Sequence, residues 1–373
     1  MALVVRAIEM RDLNGLLALA ELTGGGMTTL KPDRAILAAR LETACASFAA
    51  AIPPARRDYM FVMEDTARQR LAGVCAVKAA VGLEESFYNY RIGTLVHASK
   101  ELDVYSRMDT LYLASDLTGS GELCSLFLHP DYRQGDNGKL LSKSRLLFIA
   151  QFPQLFPDRL IAELRGYQNG DGASPFWDSL GRHFFKMGFD RADELSSLDK
   201  KSFIAELMPR YPLYIALLPQ AAQDVIGKVH AASAPARRML EQEGMRFEGY
   251  VDIFDAGPVL QARVRELRAV RDSRPASIAL PGSPPDSAPG AAAGAGGKLL
   301  ISNTSLARFR VIAAGSMCLS PSFSPSFSSS LSSPSALPPC PLPLTPAGQA
   351  LLECEAGDAL RCVALEPVDG GAP

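Results

Sequence analysis

The sequence predicts an α/β (α+β) chain: one mixed sheet with flanking helices, followed by a small β-rich C-terminal part. Three observations carry that expectation. Short β-branched runs alternate with helical spacing, as where LVVR (3–6) precedes Leu13, Leu16, Leu17 and Leu19. The apolar run ELCSLFL (122–128) stops on His129-Pro130-Asp131, passes Gly135 and Gly138, and leads into a helical pattern. After about Arg274 the periodicity gives way to Pro-, Gly- and Ser-rich tracts separated by strand-like runs.

The totals narrow the classes. A chain of 373 residues, 47% hydrophobic and 21% charged, can bury a sizeable core. Lys+Arg of 38 against Asp+Glu of 40 leaves a formal charge of -2, which favours small ligands over nucleic acid. Arg6, Glu9, Arg11 and Asp12 interrupt any secretory core, and no run of about twenty apolar residues occurs. The seven cysteines show neither CxxC spacing nor a zinc-finger histidine partner, so a cytoplasmic protein without a metal set or a membrane segment is expected.

Along the chain, the first helix is expected to end at Gly24, and YMFVMED and LAGVCAVKAAVG to form a hairpin through the charged turn Asp65 to Arg70. TLYLASD and ELCSLFL read as strands. From Lys139 to Phe152, Leu140, Leu141, Leu146, Leu147 and Ile149 mark a buried helix, and LIAELRG gives one more strand. In SPFWDSLGRHFFKMGF the expected cap is Ser174, with Pro175 in the first turn and Gly188 closing; in SAPARRMLEQEGMRFEGYVDIF, Ser233, Pro235 and Gly244 stand in the same roles. The expected organisation is a main unit over 1–272, a flexible linker over 273–297, and a small β-rich unit over 298–368. A Ser/Pro tract at about 319–346 interrupts the last of these.

The loop RQGDNG carries the first chemistry. Free N–H groups at a helix start attract anions. Arg133 adds a guanidinium, Gly135 and Gly138 permit close backbone approach, and Asn137 can take a left-handed turn conformation. The reading is phosphate binding, against the alternative of a plain surface loop. A nucleotide site is disfavoured because the Walker lysine–hydroxyl pair is missing.

This order of elements resembles the GCN5-related N-acetyltransferase fold, whose loop usually reads Arg/Gln-x-x-Gly-x-Gly/Ala. Here Arg133 and the final Gly138 are kept, and the inner glycine moves forward to Gly135. A closer resemblance, over residues 3–272, is to the arginine N-succinyltransferase family. It rests on YNYRIGTLVHASKEL, TGSGELCSLFLHPDYRQGDNGKLLSKSR, SPFWDSLGRHFF, KSFIAELMPRYPLY, VIGKVHAASAPARRMLEQEGMRFEGYVDIFDAGP and, further on, ISNTSLARFR. The resemblance implies an acyl-CoA N-acyltransferase-like region that moves succinyl from succinyl-CoA to the α-amino group of L-arginine, giving N2-succinyl-L-arginine and CoA in arginine catabolism. It also implies an acyl-CoA contact at Leu126, a proton-donor histidine at His230 in GKVH, and an oligomer with itself or a related subunit. Succinyl-CoA enters as co-substrate, with no permanently bound cofactor. Ser115-Asp116, Ser120-Gly121 and the Ser/Pro tract depart from the family pattern; Gly121 is expected to loosen the start of its strand.

Histidine suits proton transfer near neutral pH. His230 precedes the expected Ser233 cap, which puts it near a helix mouth. His129 is its rival, with a turn role as the alternative, while His183 reads as helix packing and His97 as a loop histidine or a substrate contact. Cys124 reads as a core residue before a nucleophile. An arginine acceptor asks for carboxylates, for which Glu122, Asp116 and Glu163 stand near strand ends with Arg165; Arg91 is a candidate for the succinyl carboxylate. Ornithine or another amine as acceptor, and a non-catalytic acyl-CoA-binding homologue, are the competing readings.

Overall fold

The computed structural model describes residues 2–24, 27, 29–189, 191–192, 206–209, 211–280, 298–314 and 339–367. Most of the expected linker and of the Ser/Pro tract lies outside them. The chain runs β1 (Leu3–Ala7), α1 (Leu13–Glu21), α2 (Arg34–Phe48), β2 (Asp58–Asp65), β3 (Arg70–Lys78), β4 (Asn89–Ser99), β5 (Val104–Ala114), β6 (Gly121–Leu128), α3 (Asn137–Gln151) and β7 (Arg159–Glu163). Then come β8 (Leu213–Tyr214), the helix Ala234–Gln242, β9 (Arg246–Asp252), β10 (Pro258–Arg263), β11 (Arg274–Ile278), β12 (Leu299–Asn303), β13 (Arg310–Ala314), β14 (Cys340–Leu342) and β15 (Ala359–Ala364).

These strands form a single mixed sheet in the order β14-β11-β15-β12-β13-β1-β2-β3-β6-β7-β10-β9-β4-β5-β8. Alternation along each strand sends neighbouring residues to opposite faces. Phe61, Cys75 and Leu123 therefore pack with α3 on one face, while Val62, Val74 and Cys124 pack with α1 and α2 on the other. The Asp33 carboxylate starts α2 by accepting from the Ala35 and Ile36 N–H groups. The expected β2–β3 hairpin forms, with Asp65 opposite Arg70.

The segment read as a small β-rich unit adds its strands to the same sheet, since β13 pairs with β1 at Val5–Val311 and Arg6–Arg310. On the α3 face, Glu243 receives Lys143 at 3.1 Å and Arg268 at 2.7 Å, all three buried. Glu243 directly follows the helix Ala234–Gln242, so this ionic knot ties that helix to α3 and to the short helix Arg268–Asp272. His230 lies just ahead of the same helix.

Two capping expectations are corrected. SPFWDSLGRHFFKMGF breaks at Leu180 into the helices Pro175–Ser179 and Gly181–Phe185, and the left-handed closing residue is Lys186 (φ 54°), not Gly188. Ser233 makes no side-chain cap. A 3-10 turn over Ala231–Ser233 precedes the helix, and its cap is the His230 ring, whose Nδ1 accepts from the Ala232 N–H at 3.2 Å.

Candidate active site

The site is built where β6 and β7 part. These strands run parallel and are in register at only two pairs, Gly121–Leu160 and Glu122–Ile161. A Cβ on Gly121 would stand 3.3 Å from Leu160 Cδ1 and 3.4 Å from the Lys78 carbonyl, so the glycine lets its neighbours approach closely. Beyond it β6 bulges: Val74 faces Phe127 and Ala76 faces Cys124, leaving Ser125 and Leu126 opposite Cys75 alone. Ser125 takes φ 53° to do so. The bulge takes Leu126 out of the regular ladder, and its side chain packs half-buried against the core.

Two arginines brace this kink from opposite faces. Arg40 of α2, ion-paired to Asp58 at 2.7 Å, donates to Ser125 Oγ at 2.8 Å. Arg145 of α3 is fully buried and donates to the carbonyls of Cys124 (3.2 Å) and Ala76 (3.4 Å), and to Ser142 Oγ (3.0 Å). Among the described residues no carboxylate lies within ion-pair distance of Arg145. Burial holds its pKa below the ordinary arginine value.

β6 runs into the turn Pro130–Tyr132 and then α3. The amides of Gly138 and Lys139 have no hydrogen-bond partner among the described residues. Space is open where a Cβ on Gly135 or Gly138 would stand. Gly135 is the left-handed residue (φ 55°), while Asn137 is already helical and donates from Nδ2 to the Tyr132 carbonyl at 3.0 Å, which corrects its expected conformation. Arg133 folds back, donating from Nε to the Leu128 carbonyl at 2.9 Å, with its guanidinium 5.5 Å from the Phe127 ring. Asp136, within the loop itself, is ion-paired to Lys298 at 2.7 Å and to Lys139 at 3.0 Å, which hold its carboxyl below the usual range. The loop thus presents free amides and open space to an anion.

His230 is held just past the end of β7. Its N–H donates to the Arg165 carbonyl at 2.8 Å, and Gly166 bridges to Val229 just before it. With Nδ1 accepting from Ala232, the neutral ring carries its proton on Nε2. Partial burial, then the Arg165 charge, lower its pKa.

The remaining candidates separate. His129 belongs to the turn, with Nε2 2.9 Å from an Arg70 nitrogen. His97 pairs with the Tyr214 hydroxyl at 3.0 Å. His183 is exposed, not packed. Burial pushes the Cys124 thiol up to about 11, which leaves it protonated and unsuited to nucleophilic attack. Asp116 accepts from the Tyr250 hydroxyl at 2.8 Å and faces Arg91 at 3.5 Å, and Glu122 faces Lys78 at 3.8 Å. Arg165 donates to Gln168. Glu163 accepts from Asn89 Nδ2 at 2.6 Å, a pairing that sequence reasoning missed because β4 carries no clear alternation. Arg145 was also missed, one of three cations in a helix that also carries Lys139 and Lys143.

A kinked strand parting from its parallel neighbour, a helix start with open amides and a histidine held just past the end of β7 make up the candidate site, and the comparisons that follow make the chain an acyltransferase. The profile of the family described as "Arginine N-succinyltransferase beta subunit" matches residues 3–269. Arginine N-succinyltransferases of Escherichia coli O139:H28 (strain E24377A / ETEC) and of Shigella flexneri are each 45% identical over 363 residues, covering 97% of this chain and 98% of theirs. Among solved structures, arginine/ornithine succinyltransferase subunit AI from Pseudomonas aeruginosa superposes with a TM-score of 0.81 at 32% identity, covering 97% of this chain and 98% of that one. The chain belongs to the arginine N-succinyltransferase family.

Proposed function

We propose that the chain transfers succinyl from succinyl-CoA to the α-amino group of L-arginine by direct attack, without a covalent enzyme intermediate. In this reading the amides of Gly138 and Lys139, with Gly135, Asn137 and Arg133 shaping the loop, hold the CoA phosphates. The unpaired backbone of the bulge at Leu126 holds the pantetheine arm and thioester. His230 offers its Nε2 proton to the departing sulfur, and the proton shed by nitrogen as the amide forms restores it. The observation that carries the proposal is the bulge at Ser125–Leu126 set where β6 leaves β7, with His230 held by the Arg165 carbonyl just past the end of β7. Mixing purified protein with succinyl-CoA and L-arginine should release free thiol and form succinylarginine; folded protein that does neither sinks the proposal. Ornithine is the second acceptor to try, because the Pseudomonas aeruginosa relative carries it in its name.

We also propose that the chain works in the cytoplasm as an oligomer, with itself or with a related subunit. No helix among the described residues is long and apolar enough to cross a membrane. The family description speaks of a beta subunit, and the β4–β5 hairpin exposes Leu102 and Tyr105 at 75% and 73%. Sedimentation of the purified chain tests the assembly, and a monomer at micromolar concentration argues against self-association.

A further inference from the structure

His230 is held by its backbone, and the backbone that holds it is anchored in turn at one place. The turn that joins β9 to β10, residues 252–257, reaches both chain segments that meet at the histidine. Asp255 is buried, and its carboxylate accepts from the Gly166 N–H at 2.7 Å through Oδ2 and from the Gly257 N–H at 2.8 Å through Oδ1. One residue on, the Ala256 carbonyl accepts from the Gly227 N–H at 2.9 Å. Gly166 is bridged to Val229, and the Arg165 carbonyl takes the His230 N–H at 2.8 Å. The exit of β7 and the segment 227–230 are therefore both fastened to this turn.

The residues of the turn suit that contact. A Cβ on Gly257 would overlap the Leu164 carbonyl oxygen, and one on Gly166 the Asp255 carbonyl oxygen, so side chains are barred where the turn meets the strand exit. Ala256 is left-handed at φ 56°, a conformation that disfavours a residue with a Cβ and persists where its surroundings impose it. The turn is also closed from within, since Asp252 Oδ1 accepts from the Phe254 N–H at 2.7 Å and the Asp255 N–H at 2.9 Å. A buried carboxylate costs free energy that a neutral side chain of the same shape avoids. Asparagine, however, has one acceptor oxygen, its other end being a donor, and cannot receive both the Gly166 and the Gly257 amides. The two-amide contact is what calls for the acid.

Resting on the acyl-transfer reading above, we propose that Asp255 is a positioning residue: by fixing Gly166 it sets the Arg165 carbonyl that holds His230, and so aims Nε2 at the departing sulfur. It acts through the histidine and not on either substrate. Reaction geometry is sensitive to such support, because a donor displaced by about 1 Å can cost on the order of 10²-fold in rate.

A double-mutant cycle on kcat, at saturating succinyl-CoA and L-arginine, tests this with wild type, Asp255→Asn, His230→Ala and the double variant. Asp255→Asn should lower kcat by about 10- to 100-fold, with both KM values within about threefold of wild type. In the His230→Ala background the same substitution should lower kcat by less than about twofold, since the group it positions is gone. An equal fall in both backgrounds would assign Asp255 to folding alone and overturn the proposal, as would a wild-type kcat in Asp255→Asn. A His230→Ala protein as active as wild type would instead sink the proton-donor role, a failure read from that single variant. Should Asp255→Asn not fold, Asp252→Ala takes its place, removing the acceptor that fixes the Asp255 amide, and its effect on kcat must likewise vanish without His230.

Discussion

His230 and Arg165 are joined through the main chain, the histidine N–H donating to the arginine carbonyl at 2.8 Å. The bond fixes the ring at the exit of β7, beside a cation that disfavours a second positive charge. His230 is therefore held neutral near physiological pH, with Nε2 as its donor. Replacing it with alanine should lower kcat by about 10²- to 10⁴-fold while CoA affinity, measured by calorimetry, stays within threefold. In an Arg165→Gln variant the His230 titration followed by NMR should move upward toward its ordinary value of 6.5, as one of the two causes of the depression is removed.

At the loop, Gly138→Val separates binding from folding. Space above Gly138 is open and its backbone is helical, so the thermal midpoint should fall by no more than a few degrees, while the KM for succinyl-CoA rises at least tenfold as the methyls occupy the anion's place. Gly135→Val, by contrast, must adopt a left-handed φ and should cost about 1–2 kcal/mol in urea unfolding besides weakening the cofactor. An unchanged KM in both would remove the loop from the site.

Arg145→Met keeps the side-chain length and deletes the donors to the Cys124 and Ala76 carbonyls. Loss of these bonds should destabilise the fold by about 2 kcal/mol, read from urea midpoints. With the brace gone, the KM for succinyl-CoA should rise as well. A variant that is destabilised yet binds CoA as wild type would show that Arg145 serves folding alone.

Asp255 links this site to pH. Its carboxylate accepts from the Gly166 N–H at 2.7 Å and the Gly257 N–H at 2.8 Å, yet burial and then the nearby Asp252 charge raise its pKa well above 3.8. A carboxyl with a raised folded pKa contributes stability that is complete below the unfolded value and lost as pH climbs through the folded value. The thermal midpoint of wild type should thus carry a component that falls as pH rises above about 4. Asp255→Asn should flatten it; parallel curves for both proteins would remove the assignment.

The sequence disclosed the centre of the molecule well. The run ELCSLFL followed by RQGDNG and a leucine-rich helix is a strong local pattern, and Ser174 does cap its helix by accepting from the Trp177 N–H at 3.2 Å. Where local signals compete, the reading slipped. Ser233 and His230 both suit a helix start, and the inserted 3-10 turn gave the role to the imidazole. What stayed hidden depends on long-range pairing: Asn89 and Glu163 lie 74 positions apart, on strands separated in the sheet by β10 and β9, and come within reach only once β4 joins β9 at Asn89–Asp252. The bulge was equally invisible, because it is defined by its partner strand and not by its own residues.

The pairing of β1 with β13 has a consequence for how the chain is made. β1 leaves the ribosome ahead of every other strand of this sheet, but its second neighbour arrives some three hundred residues later. Until then β1 waits as an open edge, a template for sticking to other nascent chains. Chains cut after residue 280 would keep every group assigned to catalysis and still leave that edge bare. Their fate would be decided by solubility and not by chemistry.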